Sequence, residues 1–251
     1  MNFHFFVGLW LRHGFGIALL VLASMPALAQ QVLQIGRTDS LSPLSDIAES
    51  VVKEACKRSG LKCEFQRVPL MRSMILANEG SLDGDVMRIA DAAKTYTDVV
   101  AVPTPVVWGD LAVYSMDEKW ANLPRAELRQ RKVGLTQSIL MLPKYSQGMN
   151  VTDTANVRTA FEMLANGRFE VAILVYLAAE PELARQYPRK FYRGLRSWAS
   201  EPLYFHLNKK HAALVPTINA ALLEMQKEGL VKKIFLDKLA ELGIPQLQAA
   251  D

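Results

Sequence analysis

Apolar and polar positions alternate along the chain in two distinct periods, and the switch between them repeats. A β-rich run over 31–36 gives way to Leu44, Ile47, Ala48, Val51, Val52 and Ala55, spaced to share one face of a helix behind Ser42 as cap and Pro43 as first residue. An extended pattern returns over 64–68, a helical one over 70–78, and a Gly-rich turn at 80–84 leads into a strand over 86–89. Further strands are predicted over 99–102 and 111–114. The rhythm then repeats with strands at 132–135 and 150–152, a helix from 153 to 166 stopped by Gly167, and a strand over 170–175. A strand at 203–207 precedes two closing helices, the first striped by Leu214, Ile218, Ala221, Leu222 and Met225 and ended by Gly229. Strands alternating with helices imply an α/β protein built in layers.

The first 29 residues follow neither period. Arg12 supplies positive charge, 14–22 form a short apolar core, and Ala27-Leu28-Ala29 offers the small-x-small pattern of a cleavage site. The apolar run is shorter than the roughly 20 residues that span a bilayer, so 1–29 are read as a cleaved secretory signal peptide and the working protein as periplasmic. Removing that leader takes away one Arg and no acid, which leaves 28 basic against 25 acidic side chains. So small and dispersed an excess argues against nucleic acid as a partner. Cys56 and Cys63 both remain in the mature chain, at the end of one helix and the start of the next strand with Gly60 between them, and in an oxidising compartment they are expected to form a local disulfide.

Outside the leader the only histidines are His206 and His211, which excludes a three-histidine zinc site there. Neither lies in a metalloprotease or nucleophile-elbow pattern, and no GxxxxGK[ST] phosphate loop occurs. No metal and no cofactor are expected. Loops after the strands at the carboxyl edge of an open α/β sheet are where ligands bind. Thr38, Asp39, Arg72, Trp108, Gln137, Ser138 and Tyr176 all hold such positions. The alternatives stay open: Asp39 can cap a turn, and Trp108 and Tyr176 can simply pack between helix and sheet.

Three blocks carry a resemblance to a known family: Leu82-Asp83-Gly84-Asp85, the run from Met163 to Glu170 (MLANGRFE), and 201–239. In order and spacing they resemble the bacterial extracellular solute-binding proteins of the amino-acid-binding type, family 3. The resemblance implies a two-lobed, Venus-flytrap periplasmic-binding-protein fold joined by two hinge strands. Lobe 1 would hold 30–116, lobe 2 117–199, and 200–251 would return through a strand and helices to lobe 1. It implies a binding protein, not an enzyme, that captures a small polar, carboxylate-bearing solute in the interlobe cleft. The solute would pass to an ABC-type membrane permease or be presented to a membrane sensor, with the binding protein itself a monomer. Members carry an Arg some dozen residues beyond the first block's Asp that clamps the ligand carboxylate. Here that position falls near Thr95, and Arg88 is assigned the clamp instead, with Asp85 beside it in the ligand-binding set. Members also place an Asp, at the end of the strand after the Gly-Arg turn, against the ligand's ammonium group; here Val175 stands there. The competing function is a periplasmic dehydratase on the same scaffold, which would need Glu79, Asp83, Asp85 or Glu170 in the cleft as proton donors.

Overall fold

The computed structural model describes residues 1, 32–38, 42–136, 145–187 and 190–249. The leader and the candidates Asp39, Gln137 and Ser138 therefore lie outside the described residues. Among the described residues ten strands form one continuous sheet with helices packed against it. The first half contains β1 (Val32–Thr38), α1 (Pro43–Arg58), β2 (Lys62–Val68), α2 (Leu70–Glu79), β3 (Gly84–Arg88), α3 (Ala92–Thr95) and β4 (Val99–Ala101). The apolar stripe read from 44 to 55 is buried throughout, and Pro43 sits at the helix start as expected, although the Ser42 side chain makes no cap bond.

A long strand, β5 (Val107–Ser115), carries the chain across to the second half. There α4 (Glu118–Ala121), α5 (Arg125–Leu128), β6 (Lys132–Thr136), β7 (Asn150–Thr154), α6 (Val157–Ala165), β8 (Val171–Val175), α7 (Tyr176–Gln186) and β9 (Tyr192–Arg193) follow. β7 and α6 correct the expectation of a helix from 153. The strand runs on to Thr154, and the helix begins only where the Asn156 side chain accepts the amide of Thr159 at 2.9 Å. Gly134 of β6 makes room for the Phe169 ring of the turn before β8: a Cβ there would stand 2.2 Å from it.

The chain returns through β10 (Ala199–Asn208), a 3-10 turn at Lys209–Leu214, α8 (Val215–Lys227) and α9 (Leu230–Leu242). Gly229 divides the last two helices at φ 72°, a left-handed conformation that glycine adopts without a steric penalty. The strand order is β2-β1-β3-β10-β5-β8-β6-β7, with β4 also on β10 and β9 also on β5. β10 is the joint. Its Tyr204–Leu207 stretch pairs antiparallel with β3, and its Ala199–Leu203 stretch pairs antiparallel with β5.

β1, β2 and β3 run parallel in the first half, as do β6, β7 and β8 in the second. The expected disulfide links Cys56 to Cys63, with their Cα atoms 6.1 Å apart. Buried apolar side chains from both halves and from the connecting strands, Val107, Leu111 and Leu203 among them, form one continuous cluster. No helix among the described residues is long and apolar enough to cross a membrane.

Candidate functional site

The carboxyl ends of the parallel strands in the two halves meet beside the connecting strands. Arg88, the last residue of β3, lies opposite Tyr204 of β10, while Val175, the last residue of β8, lies opposite Leu111 of β5 and through it Ala199 of β10. Tyr204 stands five positions beyond Ala199, so the two sites lie about 16 Å apart along β10.

Trp108 lies in the middle of this span, paired with Pro202, and its side chain is 41% exposed. An indole left in solvent on a joining strand is available to a ligand or to the opposite edge. Arg72, in the first turn of α2, is also exposed and has no ion-pair partner among the described residues. Thr38 ends β1 in a buried position, and its carbonyl accepts Nε of Arg37 at 3.3 Å. Arg37 itself is only 3% exposed and is held by Asp46 at 2.9 Å and by Glu49, both on α1. Burial pulls the Arg37 pKa down, but the bonds from Glu49 and Asp46 outweigh it and hold the guanidinium charged. The sequence reading passed over this residue.

Arg88 does not stand free as an anion clamp. Its Nη2 donates to the Leu70 carbonyl at 2.7 Å, its Nη1 to the Met87 carbonyl at 2.6 Å, and Nη1 lies 3.0 Å from Oδ1 of Asp85. Asp85 is fully buried, accepting the Ser73 hydroxyl and the Met87 amide. The pair thus ties the start of α2 to β3, so the guanidinium expected to clamp an anion is already engaged by protein acceptors. Burial pushes the Asp85 carboxyl up, against the pull of Arg88, Ser73 and the Met87 amide. Tyr176 is likewise turned inward. It is buried, its hydroxyl donates to the carbonyl of Pro245, and the Arg193 guanidinium lies 5.2 Å over its ring. Burial lifts its phenol to about 12.

The carboxylates required for acid-base chemistry are also engaged within the protein. Asp83 accepts the Gln34 amide, Lys210 and His211 at the opposite, amino-terminal end of β1 and β3. Burial raises its pKa, but those bonds outweigh it and hold the group below the usual carboxylate range. Glu170 precedes β8, pairing with Arg131 at 3.2 Å and accepting the Lys132 amide. Glu79 is exposed at the far end of α2.

Three polar groups on or against the joining strands escaped the sequence reading. Asp110 of β5 is half-buried beside Ser197 and Ser200, and burial raises its pKa against their hydrogen bonds. Glu201 of β10 accepts the hydroxyl of Tyr145, and Tyr204 lies half-buried opposite Arg88. The available signal was alternation: carried back from Leu111 to Val107 it extends β5 over Trp108 and Asp110.

No protein-family model matches the chain. An uncharacterized protein of Shewanella oneidensis is 22% identical over 200 residues, which is 74% of this chain and 73% of that protein. Among solved structures, the GluR0 ligand-binding core in complex with L-glutamate superposes with a TM-score of 0.70 at 14% identity, covering 84% of this chain and 99% of that one. A histidine kinase sensor domain with similarity to periplasmic binding proteins gives 0.66 at 16% identity, covering 84% and 96%. An ancestral arginine-binding protein bound to arginine gives 0.63 at 20% identity, covering 83% and 98%. The fold is that of the two-lobed periplasmic binding proteins. β5 and β10 are the strands that join its two halves.

Proposed function

We propose that the protein is a periplasmic solute-binding protein that encloses a small polar, carboxylate-bearing solute, an amino acid or a related organic acid, between its lobes. The observations that carry this reading are Trp108, exposed on the hinge strand, and Arg72, exposed at the start of α2 with no ion-pair partner among the described residues. Arg72 takes over the anion-binding part first given to Arg88, since it is the exposed cation of the two. Thr38, at the carboxyl end of β1, stays in the ligand-binding set, with Asp39, Gln137 and Ser138. The lobes are taken as 30–116 and 117–199, with 200–251 returning to lobe 1.

The bound solutes of GluR0 and of the arginine-binding protein support an amino acid or close relative as ligand. The sensor-domain neighbour supports a membrane receptor as the recipient as much as a permease. The dehydratase alternative loses ground because Asp83, Asp85 and Glu170 already spend their charge on protein partners. A thermal-shift screen of the mature chain against amino acids, organic acids, polyamines, sugars and nucleobases tests the reading. A solute at about a thousand times its Kd contributes about 4 kcal/mol, which raises Tm by several degrees. A shift confined to carboxylate-bearing solutes and lost in Arg72→Ala is the expected result; a shift from sugars or nucleobases alone would replace it.

A further inference from the structure

The chain crosses between the lobes a third time after its last helix. α9 packs on α1 of lobe 1, where Lys238 lies 3.9 Å from Asp46, and it stops at Gly243 with the Ile244 amide bonded back to Leu239. The next residues leave that lobe. Pro245 offers its carbonyl to the Tyr176 hydroxyl, the Gln248 amide donates to Leu195 at 3.1 Å, and the Ser197 amide donates to Gln248 at 2.9 Å. Gln248 and Arg196 form a parallel bridge.

The receiving surface on lobe 2 is braced from within. Arg193 bonds Tyr176 at 3.2 Å and Glu180 at 3.0 Å, and Glu180 accepts the Tyr114 hydroxyl at 2.8 Å. Tyr176 is also the residue that follows Val175, the end of β8 at the cleft edge. The tail therefore grips lobe 2 at the position where a ligand would press on it.

We propose that residues 244–249 act as a strap that restrains hinge motion and carries the state of the cleft edge to the C-terminal end of the chain. Rooted in α9 on lobe 1 and bonded to lobe 2, the strap must follow any rotation between the lobes or let go. It favours the interlobe angle at which both ends stay engaged. The restraint on the hinge rests on the fold alone; its link to the cleft edge rests on the binding site proposed above.

The test uses the full mature chain without added solute. Spin labels on Lys53→Cys of α1 and Arg168→Cys of lobe 2, both exposed positions, report the interlobe distance. Two variants are compared with the parent: Tyr176→Phe, which keeps the ring under Arg193, and a chain ended after Gly243. Loss of the tyrosine hydroxyl should speed hydrogen exchange at the Gln248 and Ser197 amides roughly tenfold. Both variants should broaden or shift the interlobe distance distribution. If Tyr176→Phe does not fold, the shortened chain decides alone. An unchanged distance distribution in a shortened chain that melts cooperatively would overturn the strap, and so would unaltered exchange in a folded Tyr176→Phe.

Discussion

Arg88 and Asp85 stand three residues apart on β3 with Nη1 3.0 Å from Oδ1, the carboxylate fully buried and the guanidinium nearly so. Removing one partner leaves the other charge stranded out of water, which costs about 3–5 kcal/mol, whereas replacing both with apolar groups of similar shape costs far less. Arg88→Ala is therefore expected to lower Tm by on the order of 10 °C. Arg88→Met combined with Asp85→Leu should recover much of that loss. Calorimetric melting of the two variants checks this; an Arg88→Ala protein that melts with the parent would return Arg88 to the role of a free clamp.

The position of Arg88 next to the cleft was legible in the sequence, but its occupation was not. Its partners are the Leu70 and Met87 carbonyls and a carboxylate on its own strand, and backbone acceptors leave no mark in a side-chain pattern. The Pro43–Arg58 helix was legible because its buried stripe is unbroken. The hinge strands were read short, at 111–114 and 203–207, because the continuous apolar runs stop there: Asp110, Glu201 and Pro202 break them between the two halves. Those interruptions are the mark of the cleft. Tyr176 was read with ligand contact and packing both open: its place after β8 suits either, and only the path of the tail, some seventy residues on, brings Pro245 to its hydroxyl.

His206 should make stability depend on pH. It is fully buried on β10, bonded to the Tyr204 carbonyl through Nδ1 at 3.0 Å, while Nε2 has no partner among the described residues. Burial, with Arg88 nearby, pushes its pKa down to about 4. Protonation thus favours the unfolded chain, in which a histidine titrates near 6.5. The stability is fully present above about pH 6.5 and is lost as pH falls toward 4, by about 3 kcal/mol between pH 7 and 4. Carboxylates add their own acid slope, so the comparison is with His206→Met. Urea unfolding across that range should give a flatter profile for the variant; parallel profiles would mean the imidazole is not held neutral.

The Cys56–Cys63 disulfide closes a short loop between α1 and β2, an edge strand most of whose side chains are exposed. A loop of this length removes about 2.5 kcal/mol of entropy from the unfolded chain. Cys56→Ala with Cys63→Ala, or the parent under reductant, is expected to melt roughly 5–10 °C lower. Equal melting temperatures in oxidised and reduced protein would show that the edge strand is held by its pairing with β1 alone.

Val175 holds the N-cap of α7 with extended φ −63° and ψ 119° and no side-chain bond to the helix amides. Asp fits that backbone and would accept one of the unpaired amides, a gain of about 1 kcal/mol set against the cost of burying a charge where the valine is 5% exposed. Val175→Asp is therefore expected to melt several degrees below the parent while staying folded. Binding should change in the opposite sense. The new carboxylate would stand at the lobe 2 edge of the cleft, and a charge-assisted bond to an ammonium group contributes about 1.5–3 kcal/mol, or roughly 10- to 150-fold in Kd. Titration calorimetry with α-amino acids should show that gain in the variant, and no gain for the matching acids that lack the amino group. A folded Val175→Asp protein without it would move the ligand's amino end away from β8, toward Asp110 and Glu201 on the hinge strands.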